Sequence, residues 1–151
     1  MELRPEKGSH EGRDAQFDET CLRPGLYRPF AKRRLYPADL LNDLPGLSGS
    51  FFPNKSDESD NHVIATSDIA FRSPHINVLA SNCATDLHVC ASVDGHQCFP
   101  YYVYESDSKT RRENITNWAL DHFRKHYKDK KITKWDIFYY DYGILHHPEY
   151  R

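Results

Sequence analysis

The chain has 151 residues, a net charge of −2 and 38% hydrophobic content, which fits one domain or a piece of a larger one. The near-neutral balance excludes a uniformly basic protein, and no run of about 18 apolar residues exists to span a bilayer. The charged first ten residues, Met1 to His10, exclude a secretory signal and point to the cytoplasm. Cys21, Cys83, Cys90 and Cys98 are accordingly read as free thiols.

Residues 1–20 carry three bases, six acids and few apolar side chains, and read as a frayed or disordered tail. From Cys21 the character changes. Residues 21–40 hold five bases and one acid, and Pro24, Pro29 and Pro37 keep this basic, aromatic stretch extended. Leu40 to Leu47 predicts a short turn of helix stopped by Pro45-Gly46, and Ser48 to Asp60 reads as loop. Four short runs of strand length and composition follow, His62–Thr66, Ile76–Ala80, Leu87–Cys90 and Cys98–Tyr104. Leu87 and Val89 alternate with His88 and Cys90 as in a half-buried strand. Val93 to His96 predicts a hairpin turn, and Pro100 an edge position for the last strand.

From Asn114 the period becomes helical. Ile115, Ala119, Phe123 and Tyr127 fall four apart, with Asn114 or Thr116 as cap. A second helix starts with Thr133 as cap, Asp136 reaching back, and Ile132 facing Ile137 across the first turn. Its core face is Ile137, Phe138, Ile144 and Leu145, and His146-His147-Pro148 stops it. The fold class is therefore α+β: a small antiparallel sheet over about 62–104, then a C-terminal helical hairpin over about 114–147.

Catalytic signatures are missing. No phosphate-binding Gly-x-x-x-x-Gly-Lys loop, glycine-rich nucleotide turn, Asn-Pro-Pro-aromatic motif or Gly-x-Ser-x-Gly elbow occurs, and no cofactor is implied. Cys83, His88, Cys90, His96 and Cys98 crowd together but lack a Cys-x-x-Cys pair. Small apolar cysteines beside surface histidines are the simpler reading, and a zinc-stabilised module the rival one. Asp86, Glu105 and Lys109 do not form the compact carboxylate pattern of a metal-dependent nuclease. His122 and His126 lie one helical turn apart without an intervening metalloprotease Glu.

What remains is segregated charge. Residues 109–134 carry nine bases against three acids, a local excess of the kind that phosphate contact needs. The alternative is a solvated helix face.

Three stretches also resemble one family. Leu26-Tyr-Arg-Pro-Phe-Ala-Lys-Arg-Arg-Leu-Tyr36 is similar to the segment after the methyltransferase region of type ISP restriction–modification enzymes. Asp86-Leu-His88 with Gly95-His-Gln-Cys-Phe-Pro-Tyr-Tyr-Val-Tyr104 resembles a second segment of that family. The blocks Ile115 to Leu120, Phe123 to Tyr127, Ile132 to Tyr140 and Tyr142 to Arg151 resemble its helical block. In that family one polypeptide carries a nuclease, a helicase-like ATPase, a coupler, an adenine-N6 methyltransferase and a C-terminal target-recognition domain. The matched stretches belong to the last of these.

The resemblance implies a partial DNA specificity domain over 21–151, strand-rich over 21–104 and helical over 110–151, that is non-catalytic by itself. Its implied partners are double-stranded DNA and a methyltransferase/helicase region of the same system. Arg28, Lys32, Arg33 and Arg34 would contact phosphate or base edges, and Arg111, Arg112, Lys128, Lys130, Lys131 and Lys134 would form a second phosphate-contacting patch. Asp141 stands where the family pattern is apolar, and its spacing from Ile137 and Leu145 turns it inward. The rival from another class is a protein-interaction piece that docks on a methyltransferase domain through Tyr139, Tyr140, Tyr142 and the Trp residues.

Overall fold

The computed structural model describes residues 17–37, 48–56, 60–67, 76–90, 95–105, 107 and 109–150. Its centre is the strand Val63–Ser67 (β3), whose side chains alternate between two buried faces. On one side Ala65 joins Leu26, Cys83, Val89 and Cys90. On the other Ile64 joins Val78, Tyr101 and Phe138. A strand buried on both faces needs a near-continuous apolar run, and Val63-Ile-Ala supplies it.

Among the described residues the strands form three small sheets. Arg23–Arg28 (β1) and Ala31–Leu35 (β2) make an antiparallel hairpin, with β2 outermost. The two-residue strand Ala84–Thr85 (β5) runs parallel to β1 on its other side. Val78–Ser81 (β4) and His96–Pro100 (β6) flank β3 antiparallel. Tyr102–Tyr104 (β7) pairs with Arg111–Glu113 (β8). The α+β class therefore stands, but the single sheet expected over 62–104 is divided, and the basic 23–35 segment supplies strands of its own.

Two expected strands are corrected. Leu87–Cys90 is a turn: Asp86 accepts from the His88 N–H through its carboxylate and from the Val89 N–H through its carbonyl. The alternation seen there is accidental, because Leu87 is 61% exposed while Val89 and Cys90 are both buried. The Cys98–Tyr104 run breaks at Tyr101. There the backbone N–H donates to His62 and the carbonyl accepts from Asn114, so the chain leaves one sheet and enters the next. Pro100 does lie on an edge strand, as its missing N–H requires.

The first part of the expected loop carries a short helix, Ser48–Phe51 (α1). Asn61, fully buried, ties it in: its side-chain amide donates to the Phe51 and Tyr102 carbonyls at 2.7 and 2.9 Å, and its oxygen accepts from the Tyr102 N–H at 2.9 Å. The predicted helical turn at 40–47 and half of the predicted turn at 93–96 lie outside the described residues. So does the expected tail as far as residue 16. Phe17 onward is held to the hairpin, with Phe17 stacked on Tyr36 and the Asp18 N–H donating to the Tyr36 hydroxyl.

Asn117–Tyr127 (α2) starts at Thr116, whose hydroxyl accepts from the Ala119 N–H, and ends at Lys128 in a left-handed conformation. Lys134–Ile144 (α3) starts with the predicted capping box, Thr133 and Asp136 each accepting from the other's backbone. Ile137 and Phe138 of α3 are buried, and Phe138 packs with Ile64 and Val78 of the β3 sheet. α2 has no buried residue. It leans on α3 through Phe123 and Tyr127 against Tyr140, and through Arg124 Nε donating to the Ile132 carbonyl at 2.8 Å. Asp141 is exposed and does not point into the core, although partial desolvation still lifts its carboxyl above the usual range.

Candidate nucleic-acid interface

The hairpin positions the first basic segment. Gly25 lets β1 lie close to its neighbours, since a Cβ there would meet Leu35 Cβ at 3.3 Å. Leu26 anchors the strand in the core. The outer strand β2 then presents Lys32, Arg33 and Arg34, all exposed. These three line one open cleft with Arg23 and Lys55, and Glu19 is the one carboxylate among its described lining residues.

Their engagement differs. Arg34 meets Glu19 at 3.8 Å with both side chains mostly in water, a pair of little energetic weight. Lys32 reaches Asn82 Oδ1 at 3.4 Å, a neutral partner that leaves its charge intact. Arg33 has no ion pair among the described residues. Arg28 is held more firmly: its guanidinium lies 2.8 Å from Asp86 and over the Tyr27 ring.

Of the other two cations, Arg23 belongs to the basic segment 21–40, whereas Lys55 carries no signal in the sequence that would mark it for this site. Arg23 Nη atoms donate to the Phe52 and Pro53 carbonyls, so this residue braces the cleft floor. Lys55 sits in a Ser- and Asp-rich stretch where charge counting is uninformative.

The second basic segment is less uniform than its composition. Arg111 faces Asp60 at 3.6 Å and lies over the Tyr102 ring, and Arg112 faces Glu105 at 3.7 Å. Lys134 is 2.8 Å from Glu113 with only 13% of its side chain exposed, so its ammonium serves the packing of α3 on β8. Lys134 is also the main reason that Glu113 titrates below the usual carboxylate range. Lys128, Lys130 and Lys131, by contrast, crowd the exposed α2–α3 turn with no ion pair among the described residues. The Lys131 N–H donates to Asp129 and fixes that turn.

The structure thus brings Lys32, Arg33 and Arg34 together at the hairpin, and Lys128, Lys130 and Lys131 together at the helical turn. A second cleft is lined by Phe30, Lys32, His62 and Asn82. The His62 ring meets Trp135 of α3 edge-on at 5.6 Å.

The other chemistry read from sequence takes a different form. Among the described residues no group of three or more His, Cys, Asp or Glu could hold a metal. Cys83 is buried against Ser81, and Cys90 against the Ala65 carbonyl. His96 Nδ1 faces the Leu87 carbonyl at 2.9 Å and Nε2 faces Thr85 Oγ1 at 2.8 Å. Hydrogen bonding with Cys98 raises this ring above its ordinary value, against the opposing effect of burial. Burial, and then the nearby Cys98, push the Cys90 thiol up to about 11.

Because the thiolate is the attacking species, iodoacetamide at mildly alkaline pH is expected to label exposed Cys21 first. Cys83 and Cys90 should label only after denaturation. Peptide mass spectrometry of the native protein checks this, and early modification of Cys90 would contradict the packing described.

The helical pair exposes several aromatic rings. Trp118 is 75% exposed and stacks on His122, and Tyr139 stacks on Trp135 with more than half its surface in water. No helix among the described residues is long and apolar enough to cross a membrane.

The structure is a divided small-sheet domain with a capped helical pair and an exposed cationic edge strand. The chain belongs to the type ISP C-terminal specificity domain family, whose model matches residues 3–151. It is similar in structure to part of the DrdV–DNA complex solved by cryo-electron microscopy, with 35% identity and a TM-score of 0.73 over 89% of this chain. It is also similar to a nuclease-deletion mutant of the type ISP restriction–modification enzyme LlaGI in complex with a DNA substrate mimic, with 28% identity and a TM-score of 0.70 over 93% of this chain. The ATP-dependent type ISP enzyme LlaBIII bound to DNA shares the fold, with a TM-score of 0.69 over 90% of this chain at 18% identity. The chain spans only 12%, 11% and 9% of those three polypeptides. No curated protein matches it.

Proposed function

We propose that this chain is a DNA target-recognition part of a type ISP-like restriction–modification enzyme and is non-catalytic by itself. The observation that carries this reading is the run Lys32-Arg33-Arg34 on the exposed outer strand, gathered with Arg23 and Lys55 in a cleft whose described lining holds a single carboxylate. Such a cluster neutralises phosphates and so releases counterions condensed on the nucleic acid. The exposed lysines Lys128, Lys130 and Lys131 form the second phosphate-contacting patch. Arg28, Arg111 and Arg112 would join by exchanging a carboxylate partner for a phosphate. Lys134 would have to give up Glu113 and its cover, and carries the least of the proposed contact. DNA complexes of the similar proteins support duplex DNA as the partner, and we read the compartment as the cytoplasm.

The test is a salt titration of duplex binding. Replacing Arg33 and Arg34 together by alanine is expected to weaken binding about tenfold or more at low salt. It should also reduce the slope of log affinity against log salt by about 2, near 0.9 for each phosphate that is no longer neutralised. Unchanged affinity and slope would remove β2 from the interface.

A second reading rests on the exposed Trp118 and Tyr139. The helical pair would dock on a methyltransferase/helicase region of the same system, which pull-down with such a region tests.

A further inference from the structure

The hairpin tip holds a residue that the fold itself does not need. Arg28 pairs with Ala31, so Pro29 and Phe30 alone close the turn. Proline at the first central position followed by a positive φ is the type II pattern, whose second central position ordinarily takes glycine. Here it is Phe30, with φ 65°. An aromatic residue held there is strained. The ring is also 93% exposed, so no packing within the described residues repays that strain. Arg28 and Lys32 lie two positions to either side, and Phe30 stands on the rim of the cleft that Lys32 and His62 line.

We propose that Phe30 is an apolar base-contacting residue, pressed against the faces or methyl groups of nucleobases when the flanking cations hold phosphates. This rests on the reading of duplex DNA as the partner and goes beyond it, because phosphate contacts carry no sequence information whereas a base contact does. A nucleobase offers what this tip is built to meet: a flat apolar surface set between anions. An anionic bilayer fits less well, since a single ring at a hairpin tip buries little apolar area in it.

The experiment uses the full chain as wild type, F30G and F30W. Duplexes are first selected by the wild type from a randomised pool. Each protein is then titrated with selected and scrambled duplexes at two salt concentrations, and with phosphatidylserine vesicles. F30G relieves the turn, so its melting temperature should equal or exceed the wild type's. It should bind scrambled duplex with an unchanged salt slope yet lose about tenfold of its preference for the selected duplex, whereas F30W keeps most of it.

A preference in F30G within about twofold of wild type overturns the assignment. So does a loss confined to vesicle binding. If the wild type binds no duplex, or binds without salt dependence, the parent reading falls and this one with it.

Discussion

Replacing Tyr101 by alanine is expected to destabilise the protein by about 3–5 kcal/mol, the range for deleting a buried aromatic side chain. Tyr101 is 1% exposed and sits where sheet and helix meet. Its ring stacks on Trp135 with centroids 3.5 Å apart and meets Phe138 edge-on at 5.6 Å. Its hydroxyl donates to Glu113 at 3.2 Å, and Glu113 in turn holds Lys134. Burial first, and then the charge of Glu113, keep the phenol protonated.

Urea denaturation should show the loss as a lower midpoint with an unchanged slope. Y101F separates the two contributions: it keeps the stack, removes the hydroxyl, and should cost about 1 kcal/mol. Glu113 sits below the usual carboxylate range, so its stabilising effect is present above its unfolded pKa and fades as pH falls through the folded one. A Y101A protein within about 1 kcal/mol of wild type would mean that α3 does not depend on this stack.

Asn61 to alanine is expected to cost about 3 kcal/mol or more by a different route. No apolar contact is at stake. The substitution strands the carbonyls of Phe51 and Tyr102 and the Tyr102 N–H, all of which now bond a side chain that is itself inaccessible. Each buried polar group left unpaired costs about 1–3 kcal/mol. N61D is the sharper control. It is nearly isosteric, but its carboxylate cannot donate to two carbonyls, so it should be at least as damaging at neutral pH. It should recover in part toward acid, where protonation returns one donor. Thermal melts of both variants across pH check this, and a stable N61D at neutral pH would refute the bonding assigned.

These residues also mark where sequence reading works and where it stops. The α3 start was legible because the capping box is complete within four consecutive residues, Thr133 to Asp136. Apolar periodicity likewise located both helices. It overstated the burial of α2, because Ile115, Phe123 and Tyr127 describe a stripe without saying how much surface waits to cover it.

Leu87–Cys90 shows the opposite failure. Two apolar residues in alternation imitate a strand, while the Asp86 side chain has already bent the backbone into a turn. Asn61 was invisible, since its partners lie 10 and 41 residues away. Within the candidate interface, counting charges found both basic segments but could not separate Arg33, exposed and without an ion pair among the described residues, from Lys134, closed over Glu113. That distinction depends on which carboxylates the fold brings near.

The position of β2 at the sheet margin has one further meaning. An outer strand offers unpaired backbone groups to any other extended chain, and proteins commonly guard such margins with charge. Three consecutive cations do so here: a second copy approaching in register would bring six like charges together before a single ladder bond could form. The same side chains that would welcome a polyanion thereby keep identical molecules apart. Neutralising them to weaken ligand binding would also remove the safeguard against self-association, and solubility would decline along with affinity.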